Sequence, residues 1–487
     1  MTEGEKQVWY QALKAKDARF DGRFFVGVSS TGIYCRPVCR AKLPKAENCT
    51  FFSTAAAAEQ AGFRPCLLCR PELAPGTSIV DATASLVHRA ARMLEECCGS
   101  GQSLEELASR LGCTSRHLRR AFTAEYNVSP VQYLQTCRLL LAKNLLTDTN
   151  LSVLDVAMAA GFGSLRRFND LFKKQYRLAP TALRRQAAGE KSHEGTVTLA
   201  LGYRPPYQWQ QILDFLAQRA IPGVEAVRNG EYWRTVRFVT GEQRYAYGWI
   251  RVGHRPQKNT LTVTISPALL QILPHVLVRV RHLFDLYCDP DAVGMALSSM
   301  NNIRPDLCVP GTRLPGCFDP FEMAVRAVLG QQITIRAAST LAARLVETYG
   351  TPVQTGIEGL THVFPSPEDI GALAGPISDH LGPLGIIATR ANTILELARV
   401  FVQNTINFDF CARPEIEMKK LMAIPGIGTW TAQYIAMRAM GWPDAFLHTD
   451  HGVKKALEPH TPKEILALAE EWRPWRSYAT ISLWNSL

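Results

Sequence analysis

The sequence lacks a long apolar run. No stretch of about 18 residues is free of charge, which argues against a membrane span. The N-terminal MTEGEKQVWYQALKAKD lacks the apolar centre of a signal peptide, so the expected location is the cytoplasm. A secreted disulfide framework is also missing, because the 13 cysteines are odd in number and spread over 487 residues. With 47% hydrophobic and 20% charged residues, the chain lacks the polar bias of a disordered one. Its length predicts three or four domains.

Acidic charge is scarce in one part of the chain. Residues 1–190 carry 26 Lys/Arg against 17 Asp/Glu, whereas residues 191–487 carry 28 against 26. Most of the formal net charge of +11 therefore sits in the first section. Such a bias suits a polyanionic partner, most simply nucleic acid, or general solubility.

Most cysteines lack metal-ligand spacing. Cys49, Cys97, Cys98, Cys113, Cys137, Cys288, Cys308, Cys317 and Cys411 stand singly or adjacent and are expected to be small core residues. The exception is Cys35-x3-Cys39 followed by Cys66-x2-Cys69. Two close pairs of thiolates supply the four ligands that tetrahedral zinc prefers. Arg36, Arg40, Lys42, Arg64 and Arg70 crowd the same segments, a cation cluster that suits phosphate. The alternative is a closed four-cysteine site that only staples a small domain.

The coarse pattern changes along the chain. Residues 1–80 are short of long helical patterns, and FDGRFFVGVSSTGIYC alternates as a small sheet would. SLEELASRLG and SVLDVAMAAGFG then show helical spacing ending at Gly. AAGEKSHEG reads as a linker. YWRTVRFV and LTVTIS read as strands, and from about residue 282 the chain is helical with Pro and Gly at the joints.

Three resemblances follow from these motifs. TGIYCRPVCRA with GFRPCLLCRPE resembles the metal-binding N-terminal domain of the Ada family. That resemblance implies one Zn2+ held by Cys35, Cys39, Cys66 and Cys69, with Cys35 accepting methyl from a DNA methylphosphotriester. It places Thr31, Arg40, Lys42 and Arg64 at DNA-contact positions, Lys42 standing where the family has a planar Arg. Methylation would remove one negative charge and strengthen DNA binding.

SLEELASRLGCTSRHLRRAFTAEY and SVLDVAMAAGFGSLRRFNDLFKKQY each join two helices through a Gly turn. The pair resembles the AraC-type DNA-binding region. The implied groove residues are Ser115, Arg116, Arg119 and Arg120, then Ser164, Arg166, Arg167 and Asn169. A helical spacer with solvated charged faces is the plainer alternative.

LMAIPGIGTWTAQYIAMRAMG reads as a helix-hairpin-helix, with Gly426 and Gly428 permitting a turn that offers backbone N–H groups to phosphate. With FLHTDHGVKKAL and EEWRPWRSYATISLW beyond it, the chain from about 197 to 487 resembles the AlkA-type 3-methyladenine glycosylases. That resemblance implies Asp450 as the catalytic carboxylate and Trp430, Tyr434 and Trp484 as the base pocket. It makes Gln332 the wedge that replaces a flipped base. Trp430 stands where lyase-active relatives carry a Lys, which implies a monofunctional enzyme. His451 stands where the AlkA type has a Tyr.

The expected architecture is multidomain, mainly α with α+β parts. A small zinc α/β domain (1–80) is followed by an AraC-type double helix-turn-helix (81–187) and a linker (188–195). An AlkA-type α+β subdomain (196–312) and an all-α helix-hairpin-helix glycosylase domain (313–487) complete it. The expected partners are double-stranded, alkylated and promoter DNA and RNA polymerase, with no membrane and a monomeric state. No organic cofactor is expected. The Pro-Cys-His-Arg acceptor site of the Ada family has no counterpart, so repair of O6-methylguanine is not expected. The rival reading is a transcription regulator whose glycosylase-like half is catalytically inactive.

Overall fold

The computed structural model describes residues 3–75, 86–96, 103–186, 196–240, 244–408 and 414–487. The linker expected at 188–195 and Cys97, Cys98 and Cys411 lie outside the described residues. The chain divides into two compact units. The first comprises Met1–Pro205, Arg255–Val278 and Leu286–Cys288; the second comprises Pro206–His254, Arg279–Asp285 and Asp289–Leu487. No helix among the described residues is long and apolar enough to cross a membrane.

The first unit opens with a helix, α1 (Glu3–Ala15), where the sequence reading expected none of that length. Trp9, Ala12 and Leu13 lie at helical spacing, and that stripe is what it packs with. Trp9 stacks on Phe24 at 4.9 Å, and Phe51 meets both rings edge-on. Strands β1 (Phe25–Val28), β2 (Ile33–Cys35), β3 (Cys49–Phe52) and β4 (Arg64–Pro65) form a sheet in the order β3-β1-β2-β4. β2 and β4 run parallel, pairing Ile33 with Arg64 and Tyr34 with Pro65. One step further, that register sets Cys35 beside Cys66.

Five helices build the helix-turn-helix pair. They are α3 (Leu104–Arg110), α4 (Ser115–Tyr126), α5 (Pro130–Asp148), α6 (Val153–Ala159) and α7 (Leu165–Tyr176). Their starts are encoded locally: Ser103, Thr114, Ser129, Ser152 and Ser164 each accept a first-turn N–H. Leu118, Phe122 and Tyr126 bury one face of α4; Phe168, Phe172 and Tyr176 bury the matching face of α7.

The long helix α5 also carries the zinc domain. Glu59, on the short helix α2 (Ala55–Gln60), accepts hydrogen bonds from Tyr34 and Thr136, each at 3.0 Å. Lys143 of α5 reaches Glu72 at 2.6 Å, with both side chains almost fully buried. Arg70 joins Glu72 to Asp148. Deleting one partner of such a network leaves a buried charge unmatched, at a cost of about 3–5 kcal/mol. The same unit contains the antiparallel pair β5 (Val197–Gly202) and β9 (Thr260–Ile265), whose Leu199, Leu201, Leu261 and Val263 are buried.

The second unit contains the meander β6 (Glu225–Arg228), β7 (Glu231–Thr240) and β8 (Arg244–Arg255), so YWRTVRFV is a strand as expected. Its helices that bear on the site are α8 (Trp209–Arg219), α9 (Pro320–Leu329), α10 (Ile335–Tyr349), α11 (Ala388–Val402), α12 (Pro414–Met422), α13 (Thr429–Arg438), α14 (His451–Ala456) and α15 (Arg476–Asn485). α9 and α13 are buried on nearly every side, which makes them rigid mounts for what they carry. Cys288, Cys308 and Cys317 are buried, while Cys49, Cys113 and Cys137 are only partly so.

Glu59 yields a pH test. Burial pushes its carboxyl up to about 8, and the Tyr34 and Thr136 donors and Lys143 offset only part of this. An unfolded Glu titrates near ~4.3, so between these values only the folded state holds the proton. The stabilisation is complete below the unfolded value and is lost as pH rises through the folded one. Glu59→Gln should flatten that decline, by a few kcal/mol (about 2–5) between pH ~5 and ~8. Denaturation followed by zinc release measures it; an unchanged slope would refute it.

Candidate zinc centre and aromatic pocket

The sulfurs of Cys35, Cys39, Cys66 and Cys69 all lie within 4.8 Å of one another. Ligands about 2.3 Å from one ion at tetrahedral angles require spacing of this order. Without a cation the sulfurs can only share protons: the Cys35 thiol donates toward Cys39 and Cys66, which pushes it well above its ordinary value. The donor set and its spacing fit one Zn2+ held by these four cysteines. Cys69 Sγ accepts the Arg36 N–H at 3.3 Å.

The surrounding cations are of two kinds. Arg36 and Arg70, expected to belong to a phosphate-binding cluster, are committed elsewhere. Arg36 pairs with Asp21 and donates to the Cys69 carbonyl at 3.1 Å. Arg70 is held by Glu72, Asn144 and Asp148. Carboxylates supplied by the folded chain have claimed them, which the linear sequence does not reveal. Arg40 and Lys42 remain exposed, and Arg64 is half-buried on β4. Thr31 is exposed in the β1–β2 turn, its hydroxyl donating to the Val28 carbonyl at 3.3 Å.

In the helix-turn-helix pair, Arg116, Arg119 and Arg120 on α4 and Arg166 and Arg167 on α7 are exposed opposite the buried faces. Ser115 and Asn169 are half-buried. Ser164 is exposed but caps α7, accepting from the Arg167 N–H at 3.4 Å. Arg119 pairs with Glu105 at 3.3 Å.

In the second unit, α12, the PGIG turn and α13 form the hairpin. Gly426 has φ +90°, and a Cβ there would lie 2.1 Å from Thr393 Oγ1, so no other residue fits. Thr393 needs that approach to donate to the Pro425 carbonyl at 2.8 Å. Gly428 starts α13 without a side-chain cap, leaving the first-turn N–H groups for an outside anion. Gln331 braces the turn through the Gly426 carbonyl and Thr431. Its neighbour Gln332 is exposed between α9 and α10 with φ +55°, a strained conformation for a non-glycine.

The expected pocket residues come together around Asp450. Trp430 Nε1 donates to Asp450 Oδ2 at 3.1 Å, and Trp484 Nε1 donates to Oδ1 at 2.8 Å. The Val453 N–H reaches the same Oδ1 at 3.1 Å, so Asp450 also caps α14. Trp430 stacks on Tyr434 with centroids 5.3 Å apart, and Tyr434 meets Trp484 edge-on at 6.2 Å. His451 is exposed at the start of α14.

Other contributors were not legible in the sequence. Phe215 of α8 stacks on Trp484 at 6.3 Å, and Arg219 lies 3.8 Å over Phe215. Arg438 donates to the Tyr434 hydroxyl at 2.9 Å and to the Gly316 carbonyl at 2.9 Å. Burial pushes the Tyr434 hydroxyl up, yet Arg438, Arg219 and Arg326 pull it further down, to below the ordinary tyrosine value. A Cβ on Gly452 would lie 2.9 Å from the Trp484 ring. Only Arg438 carries a signal, being one helical turn from Tyr434. Other buried carboxylates of the unit are tied up: Glu225 and Glu322 with Arg234 and Arg326, and Asp444 with Arg473 and Arg476.

The comparisons with known proteins follow this layout. Residues 8–72 match the metal binding domain of Ada, and 107–186 a helix-turn-helix domain. Residues 198–319 match the AlkA N-terminal domain, and 325–472 the HhH-GPD superfamily of base excision DNA repair proteins. A Mycobacterium tuberculosis protein, named as a probable bifunctional transcriptional activator/DNA repair enzyme AlkA, is 38% identical over 487 residues. The match covers 98% of this chain and 96% of that protein. The chain belongs to this family of activator and repair proteins. DNA-3-methyladenine glycosylase 2 of Escherichia coli is 37% identical over 284 residues, covering 58% of this chain and 95% of that protein. The bifunctional transcriptional activator/DNA repair enzyme AdaA of Bacillus subtilis is 32% identical over 188 residues, covering 38% of this chain and 86% of that protein.

Metal analysis tests the cysteine centre. The full chain should bind one zinc ion, and Cys69→Ser should weaken retention against a chelator by at least about tenfold. Unchanged retention would remove Cys69 from the ligand set.

Proposed function

We propose that the chain joins three activities: methyl acceptance from DNA methylphosphotriesters, sequence-specific transcriptional activation, and excision of alkylated bases such as 3-methyladenine. The observation that carries the excision reading is the Asp450 carboxylate gripped by two indole N–H groups beside the packed rings of Trp430, Tyr434 and Trp484. A rival regulator with an inert second half would have no use for that arrangement.

Cleavage of the N-glycosidic bond builds positive charge on the deoxyribose. Asp450 stabilises that charge and directs water to the sugar carbon as the base departs. Trp430 and Trp484 fix the carboxylate's orientation as well as offering ring faces. An alkylated purine is cationic, so those faces attract it, and its charge makes it a good leaving group. The base reaches them flipped from the duplex, with Gln332 filling the gap and the α13 N-terminus holding a phosphate. Trp430 has no amine to form a Schiff base, so the product is an abasic site and the glycosylase is monofunctional.

In the zinc domain, the bound ion keeps the four sulfurs as thiolates at neutral pH. Cys35 is the nucleophile by its place in TGIYCRPVCRA, within the match to the metal binding domain of Ada. Its sulfur bonds the methyl carbon as the carbon–oxygen bond of the triester breaks, and a phosphodiester anion leaves. Arg40, Lys42 and Arg64 hold the backbone, with Thr31 at the edge of the contact. The exposed arginines of α4 and α7 supply the groove contacts at a promoter. A monomer working with RNA polymerase in the reducing cytoplasm is the expected setting.

Two experiments test this. Wild type should release free 3-methyladenine from methylated DNA; Asp450→Asn should lose at least about a thousandfold, and Trp484→Phe about tenfold for one charged hydrogen bond. Full activity in Asp450→Asn would sink the assignment. Incubation with DNA carrying labelled methylphosphotriesters should mark the wild-type protein and not Cys35→Ala. Label that persists in the variant would exclude Cys35.

A further inference from the structure

The loop between α9 and α10 carries Gln332, exposed and at φ +55°. A residue with a β-carbon keeps that conformation only where its surroundings over-determine it. Here the restraints act on the residue before it. The Gln331 side chain donates to the Gly426 carbonyl at 2.9 Å and to Thr431 Oγ1 at 3.0 Å. The Gln331 carbonyl accepts from Arg390 Nη2. That carbonyl belongs to the planar peptide whose other end is the Gln332 nitrogen. Rotation about φ of Gln332 swings this plane, so a donor fixed on the oxygen fixes the rotation.

Arg390 is half-buried in the first turn of α11, and no carboxylate pairs with it among the described residues. Its guanidinium is directed at a main-chain oxygen, and a cationic donor grips such an oxygen more strongly than a neutral one. Three residues on, Thr393 donates to the Pro425 carbonyl at 2.8 Å, inside the hairpin turn. The same helix therefore holds the Gln332 loop with one side chain and the PGIG turn with another. Gln331 closes the triangle by bonding the loop to the turn. The side chain that would fill a gap in the duplex and the N–H groups that would hold a phosphate share one frame.

We propose that Arg390 is a positioning residue for paired substrates: through the Gln331 carbonyl it holds Gln332 in the pose that enters the helix as a base leaves. A base in a single strand leaves no paired partner behind, so the brace matters only when the target is in a duplex. The inference rests on the base-excision reading, so one arm of its test does not.

The first arm is amide hydrogen exchange of the full chain without DNA. The Gly330 and Gln331 amides bond back to the Arg326 and Val328 carbonyls at 3.0 and 3.3 Å. In Arg390→Gln their exchange should quicken by about tenfold, the loss of one charged hydrogen bond, and Arg390→Lys should restore most of the protection. Exchange unchanged in Arg390→Gln would overturn the proposal. The second arm compares single-turnover release of 3-methyladenine from duplex and from single-stranded methylated DNA. Arg390→Gln should slow release from the duplex by about tenfold and leave release from the single strand as it was. Equal losses on both substrates would mark a general structural defect and refute the role. Introduced into Gln332→Ala, Arg390→Gln should add no further loss on the duplex; additive losses would show that it does not act through Gln332. If wild type releases no base from either substrate, the excision reading fails and exchange alone decides whether Arg390 holds the loop.

Discussion

The second unit depends on keeping one carboxylate oriented against a wall of aromatic rings. Asp450 belongs in water by its own chemistry, and here it is half-buried. The fold replaces the missing water with three donors: two indole N–H groups and the first turn of α14. Each donor is fixed by something else. Trp430 rides on a buried helix and stacks on Tyr434; Trp484 sits on α15 against Phe215. Because the donors are in place before any base arrives, the site has no reorganisation to perform when charge develops.

The first unit solves a related problem with opposite signs. Four sulfurs need a cation, and the arginines nearest to them in sequence would seem to add more positive charge. The fold diverts two of these. Arg36 goes to Asp21 and Arg70 to Glu72 and Asp148, while Arg40 and Lys42 stay exposed. The diverted pair builds structure: Arg70, with the buried Lys143–Glu72 pair, fastens the zinc loop to α5. That helix lies between the two helix-turn-helix units, so the metal centre and the DNA-reading helices share one body.

Local patterns made much of this legible. The cysteine spacing, the cap residues, the Gly turns and the strand alternation at YWRTVRFV and LTVTIS each report on a few neighbouring residues, and each appears as an element where expected. Asp450, Trp430 and Tyr434 were readable because they sit near one hairpin. What escaped depends on distance in the chain. Phe215 and Arg219 come from a helix more than 200 residues before Asp450. The fate of Arg36 and Arg70 depended on carboxylates that only folding brings near. The helix α1 was missed because its apolar stripe is short and set among charged residues.

Gly452 carries a consequence out of proportion to its size. It has no functional group, and no chemical reasoning would nominate it. Yet Trp484 lies against its bare α-carbon, where a single methyl would meet the indole at 2.9 Å. Any side chain there would lever the ring off the carboxylate two residues earlier. The tolerance of this position to variation is therefore set by an absence: whatever replaces the hydrogen must displace the ring that holds the carboxylate.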